Sequence, residues 1–186
     1  VMDEIESYGS YEKPRAAVTL QGDGSLELTA RSDSIYISGD LSILGVKLKT
    51  AGAVATMEGD ITIADAQVDI CNQTEGYPPA ALFAPGGSVT IAGASQVSAK
   101  FQSVGSVDDG MPLPGGLGIF AGNDIVIDLA KGGKLDVAGA EGVPSDLPVN
   151  EGMALLAGGT ITLGTDNVVT LPEGGVVTGA RQVTEK

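Results

Sequence analysis

Carboxylates are the side chains best able to do chemistry in this sequence, because histidine is absent and cysteine occurs once, at Cys71. Without histidine there is no imidazole base, no serine–histidine triad and no histidine metal cluster. Cys71 has no imidazole to hold it as a thiolate, so it reads as an inert thiol. Two groups of acids stand out. Asp40 and Asp60 each follow a glycine and precede an apolar–polar–apolar run, GDLSI and GDITI, and Asp108-Asp109-Gly110 lies in a stretch that also carries Pro112 and Pro114. Oxygen-rich pairs of this kind could hold Ca²⁺, although the spacing at Asp108 and Asp109 matches no complete Ca²⁺ loop. Ordinary solvated surface charge is the competing reading for both groups.

The elements that must position these acids repeat. The motif at Gly39 and Gly59 recurs as GGSVTI at Gly86, GNDIVI at Gly122 and GGTITL at Gly158. Superposed, the apolar positions form two columns: Val18, Leu41, Ile61, Val89, Ile125, Ile161, and Leu20, Ile43, Ile63, Ile91, Ile127, Leu163. Alternation with period two and β-branched residues marks a strand. A second strand follows a short turn, with Glu27, Lys47, Asp69, Ser98, Asp136 and Thr170 expected to face outward. A third precedes each glycine turn. Short self-similar units that cannot bury a face alone must stack. The expected fold is all-β: a single-stranded parallel β-helix with three short strands per coil and about six coils, right-handed as parallel crossovers are. Residues 17–172 form the solenoid, residues 1–16 an N-terminal arm or cap, and residues 173–186 a C-terminal edge strand and tail.

In this frame Asp40 and Asp60 occupy adjacent coils about 4.8 Å apart. They repel by about 1 kcal/mol in water and about 3–4 kcal/mol at an effective dielectric of 20. That is tolerable on an open face and calls for a cation in a cleft. The neighbouring column Thr19, Ser42, Thr62, Thr90, Val126, Thr162 is a hydroxyl ladder of the kind that stabilises sheets. Glu27, Lys47 and Asp69 alternate in sign and read as ion pairs that set register. Three long inserts, Asn72 to Pro79, Gln102 to Gly116 and Gly139 to Gly152, fall between the second strand of one coil and the third strand of the next. Insertions on one edge of a solenoid often mark the binding side. The first insert carries Tyr77, a ring that could stack on a sugar, and the second carries Asp108 and Asp109. With Ile37, Met57, Phe120 and Leu156 turned inward, Leu82, Ile119 and Leu155 face outward as an apolar stripe, either covered by the inserts or serving as a contact surface.

Composition narrows the function. The net charge of −14 repels phosphate backbones and argues against nucleic acid as a partner. No apolar run is long enough to span a bilayer as a helix. The chain opens at Val1 with no visible signal peptide, as expected once a leader or anchor has been removed. The three arginines, Arg15, Arg31 and Arg181, lie away from the middle coils.

The motif G-[DGN]-x-[IV]-[ST]-I followed by a second strand, in stretches such as MEGDITIADAQVDI and LFAPGGSVTIAGASQVSA, resembles cell-surface β-helix proteins of bacteria. The resemblance covers about residues 17–172. It implies an extracellular, secreted or wall-attached protein, adhesin-like, and some relatives are carbohydrate-binding β-helix domains that take acidic polysaccharides, sometimes with Ca²⁺. β-Helix polygalacturonases and pectate lyases are more distant: the histidine motifs of the first are absent and the Ca²⁺–aspartate–arginine cluster of the second has no counterpart. The resulting expectation is a non-catalytic module binding a glycan or a surface protein through the insert-bearing flank. Its competitors are a structural stalk without a ligand and a polysaccharide lyase or hydrolase using loop carboxylates.

Overall fold

A computed structural model describes residues 5–7, 16–30, 34–73, 78–101, 117–138, 153–164, 169–170, 176–178 and 183–185. The described residues contain no helix. Their strands follow one another coil by coil. The first coil is β1 (Ile5–Ser7), β2 (Val18–Gln21) and β3 (Ser25–Leu28); the second is β4 (Ile35–Ile37), β5 (Leu41–Leu44) and β6 (Lys47–Thr50); the third is β7 (Val54–Thr56), β8 (Ile61–Ala64) and β9 (Gln67–Asn72). The fourth is β10 (Ala80–Ala84), β11 (Val89–Gly93) and β12 (Gln96–Phe101), the fifth β13 (Leu117–Ala121), β14 (Ile125–Leu129) and β15 (Lys134–Ala138). The sixth is β16 (Met153–Ala157), β17 (Ile161–Leu163) and β18 (Val169–Thr170), and β19 (Val176–Thr178) and β20 (Val183–Glu185) begin a seventh. Every third strand pairs in parallel, giving sheet A (β1 to β19), sheet B (β2 to β20) and sheet C (β3 to β18). This is the parallel three-strand solenoid expected from the repeat. β1 already pairs with β4, so sheet A reaches back into the segment expected to be an arm or cap.

Sheet B follows the sequence columns in register. Leu41, Ile61, Val89, Ile125 and Ile161 stack in one row and Ile43, Ile63, Ile91 and Ile127 in the next, and all are fully buried. Side chains of one row sit one above another at the inter-strand spacing, so the core is a continuous column rather than a central cluster.

Two faces depart from expectation. In sheet A, Leu82, Ile119 and Leu155 pair with one another and, through Val54, with Ile35. They are 0–1% exposed and belong to the main core, so they point in, not out. Thr56, not Met57, follows Ile37 in the inner row, and Ala84, Ala121 and Ala157 occupy the corresponding place later. Size explains the difference. After Ile37 this row takes small side chains next to the sheet A–sheet B corner, with the Thr56 hydroxyl donating to the Gly39 carbonyl and accepting from the Gly59 amide. The larger Phe83, Phe120 and Leu156 then lie on the outer face, the two rings stacked with centroids 5.3 Å apart in a satellite cluster with Tyr36, Ala55, Met57, Ala80 and Leu117. A slip of one residue exchanges the two faces of a strand.

In sheet C, Leu26 pairs with Leu48 and Glu27 with Lys49, so Lys49 rather than Lys47 stands between Glu27 and Asp69. The shift brings Thr50 inward. It is buried and its hydroxyl accepts from the Gly52 amide at 3.0 Å, which satisfies the polar group locally.

Candidate functional site

The sheet A–sheet B corner places the aspartates. After each glycine turn, one residue sits at the same level of the triangle: Asp40, Asp60, Ser88, Asp124, Thr160. Asp40 Oδ1 accepts from the Asp60 amide at 2.9 Å, and Asp60 Oδ1 from the Ser88 amide at 2.7 Å. Ser88 Oγ accepts from the Asp124 amide at 3.3 Å. Asp124 Oδ1 accepts from both the amide and the hydroxyl of Thr160, at 2.7 and 2.8 Å. Those two bonds, the amide first, hold the Asp124 carboxyl below its ordinary pKa. Asp40 and Asp60 thus come together as rungs of a ladder between coils. Each carboxylate spends one oxygen on the next coil's amide, a charge-assisted bond, so holding the pair in place requires no cation. Among the described residues, no three of His, Cys, Asp and Glu gather into one cluster.

The sheet B–sheet C corner uses the same device. Asp65 takes a left-handed φ of 52°, which aspartate tolerates better than most residues. Its Oδ1 accepts from the Ala94 amide at 2.8 Å. That carboxylate fills the space where a side chain on Gly93 would begin, and Gly93 itself has a φ of 68°.

The outer face of sheet C is different in kind. Its first outward row is Ser25, Lys47, Gln67, Gln96 and Lys134; the second is Glu27, Lys49, Asp69, Ser98 and Asp136. These rows line a shallow depression of about 410 Å³ across five coils. Lys47, Lys49, Lys100, Lys131 and Lys134 are the cationic side chains among the described residues. Four lie on this face, and Lys131 lies in the turn that leads into β15. Lys49 pairs with Glu27 at 2.9 Å and Lys100 with Asp136 at 3.0 Å. The hydrogen bond to Glu27, and then its charge, raise the pKa of Lys49. The face therefore offers a row of long donor arms beside a row rich in acceptors. A polyhydroxylated ligand, each of whose hydroxyls both donates and accepts, can engage both rows.

The site residues named from sequence fall in three places. Leu82, Ile119 and Leu155 are in the core. Asp40 and Asp60 are in the corner ladder. Tyr77, Asp108 and Asp109 lie outside the described residues. The sheet C depression was not singled out from sequence, because the two-residue shift at β6 had taken Lys49 out of its row. Leu48 carries the signal that restores it: aligning Leu48, not Val46, with Leu26 and Val68 places Lys47 and Lys49 in successive outward rows.

No protein-family model, no curated protein and no solved structure matches this chain. Among the described residues, no helix is long and apolar enough to cross a membrane.

Proposed function

We propose that this chain is a non-catalytic, secreted or cell-surface module that binds a glycan along the flank where the outer face of sheet C meets the three inserts. The depression across sheet C carries the reading. It spans five coils, and its outward rows carry donors and acceptors that the backbone ladder holds in line over an apolar floor of Leu26, Leu48, Val68 and Val97. In sequence, the inserts 72–79, 102–116 and 139–152 each connect a sheet C strand to the next sheet A strand. The resemblance of the repeat to bacterial cell-surface β-helix proteins supports the same reading. The mechanism is rigid display. The coils fix the binding groups before the ligand arrives, which reduces the ordering cost of association.

A glycan array, read with and without Ca²⁺, tests the proposal. Binding should fall about tenfold or more in a Gln67→Ala/Gln96→Ala double variant, as expected when two hydrogen-bonding arms are lost, and stay unchanged in Thr62→Ala on sheet B. Silence across acidic and neutral glycans would favour a structural stalk. The continuous ladder along the sheet A–sheet B corner, which stiffens the stack, is the observation favouring that second reading. Product released from pectin-like polymers, and lost in Asp108→Asn/Asp109→Asn, would indicate an enzyme instead.

A further inference from the structure

The outer face of sheet C is charged unevenly. Its first outward row, Ser25, Lys47, Gln67, Gln96 and Lys134, holds two cations and no acid, in a chain with 24 acidic residues against 10 basic ones. All five residues are exposed. The second row, Glu27, Lys49, Asp69, Ser98 and Asp136, holds three acids and one cation. Two lysines of this face are already neutralised, Lys49 by Glu27 and Lys100, one row further on, by Asp136. Among the described residues, Lys47 and Lys134 form no ion pair. Register fixes their separation. Lys47 aligns with Gln67, Gln67 with Gln96 and Gln96 with Lys134, so the two cations stand three coils apart, about 14 Å along the solenoid axis. The two rows lie about 7 Å apart, the repeat of two residues along a strand.

We infer that the glycan bound here is a linear polyanion laid along the solenoid axis, one sugar per coil, with acid groups over Lys47 and Lys134. This rests on the glycan-binding role proposed for the same face and deepens it. The axial direction follows from the rows, because equivalent outward positions recur along the axis and not across it. A (1→4)-linked pyranose in an extended chain advances by a length close to the strand spacing. Successive sugars therefore meet successive coils, and the long lysine arms absorb the small offset. Across the face, complementarity sets which edge of the sugar faces which row. The acid edge lies over the first row, since Asp69 and Asp136 in the second would repel it. The hydroxyl edge lies over the second row, where those carboxylates accept from it. Gln67 and Gln96, between the two lysines, both donate to and accept from the intervening sugars. Charge spacing then selects among polyanions. A chain with an acid on every sugar places one over each lysine. A chain with acids on alternate sugars spaces them by an even number of coils and meets only one of the two.

Calorimetric titration of the whole chain with polygalacturonate, its fully methyl-esterified form and hyaluronan tests this. Polygalacturonate should bind about tenfold more tightly than its ester, as two charge-assisted contacts allow. It should bind about threefold more tightly than hyaluronan, whose acids fall on alternate sugars and which loses one of the two contacts. The advantage over the ester should shrink with added salt. Lys47→Gln/Lys134→Gln should remove that advantage. Ser42→Asp/Thr90→Asp lowers the net charge equally on sheet B and should keep it, which separates the contacts from the field of the whole chain. Lys47→Gln/Gln67→Lys sets the cations two coils apart and should bring hyaluronan level with polygalacturonate. An ester that binds as tightly as the acid, or an advantage that survives Lys47→Gln/Lys134→Gln, would overturn the inference and leave glycan binding standing. Failure of every polymer to bind, neutral glycans included, would overturn both.

Discussion

Replacing Ile119 by alanine separates a core position from a surface one. Ile119 is fully buried and sits between Leu82 and Leu155 in the inner row of sheet A. The substitution removes three carbons, about 2.4 kcal/mol at about 0.8 kcal/mol each. Leu82 and Leu155 are fixed by their own strands and collapse only partly into the gap. A residual cavity of about 40 Å³ adds about 1 kcal/mol. The expected loss is therefore about 3–4 kcal/mol. With a urea slope of about 2 kcal/mol/M, the unfolding midpoint falls by about 1.5–2 M. Because each coil contacts only its neighbours, hydrogen exchange should accelerate first in β10, β13 and β16, with β5 and β6 least affected. A surface isoleucine would lose no more than about 0.5 kcal/mol. A measured loss below about 1 kcal/mol, or exchange that rises evenly along the chain, would refute the inward assignment of this row.

Other perturbations read the corners and the charged face. A methyl group on Gly87 would run into the Gly59 carbonyl, while one on Gly24 would meet open space; Gly87→Ala should cost about 3 kcal/mol and Gly24→Ala should stabilise by about 0.4–1 kcal/mol, both measured by thermal melting. Asp124 has a folded pKa below its ordinary 3.8, so its contribution is complete above the unfolded value and is lost as pH falls through the lowered folded one; the Tm difference between the parent chain and Asp124→Ala should shrink as pH falls below about 4, and a difference that holds constant through acid would contradict the ladder. The Lys49–Glu27 pair has side chains 64% and 55% exposed, so a double-mutant cycle should show only a weak coupling that fades with added salt.

What could be read from the sequence followed the strength of the local signal. Sheet B was legible from β2 to β17 because its inner rows are uniformly Val, Ile or Leu. Sheet A was legible as strands but not as faces. The motif glycine holds no fixed place in the corner turn: the inner residue stands two before Gly39, three before Gly59 and one before Gly122 and Gly158, so counting back from the glycine exchanged inside for outside. Side-chain size misled in the same direction, since Phe120 and Leu156 look like core while Thr56 and the alanines do the filling. In sheet C, Thr50 looked like a surface residue because its satisfaction by the Gly52 backbone leaves no trace in composition. The lysine-bearing face stayed hidden for a related reason. Lys47, Lys49, Lys100 and Lys134 are scattered along the chain and converge only once every coil is in register.

The corner ladder has a direction. Each side-chain bond runs from the acceptor of one coil to the amide of the coil after it, so along the solenoid axis these bonds act as links in series. Under tension applied at the two termini, a series yields at its weakest member. The hydroxyl of Ser88, neutral and 3.3 Å from its amide, stands among carboxylate links of 2.7–2.9 Å. Within this side-chain ladder the link between the fourth and fifth coils is therefore the weakest, and Ser88→Asp should strengthen it.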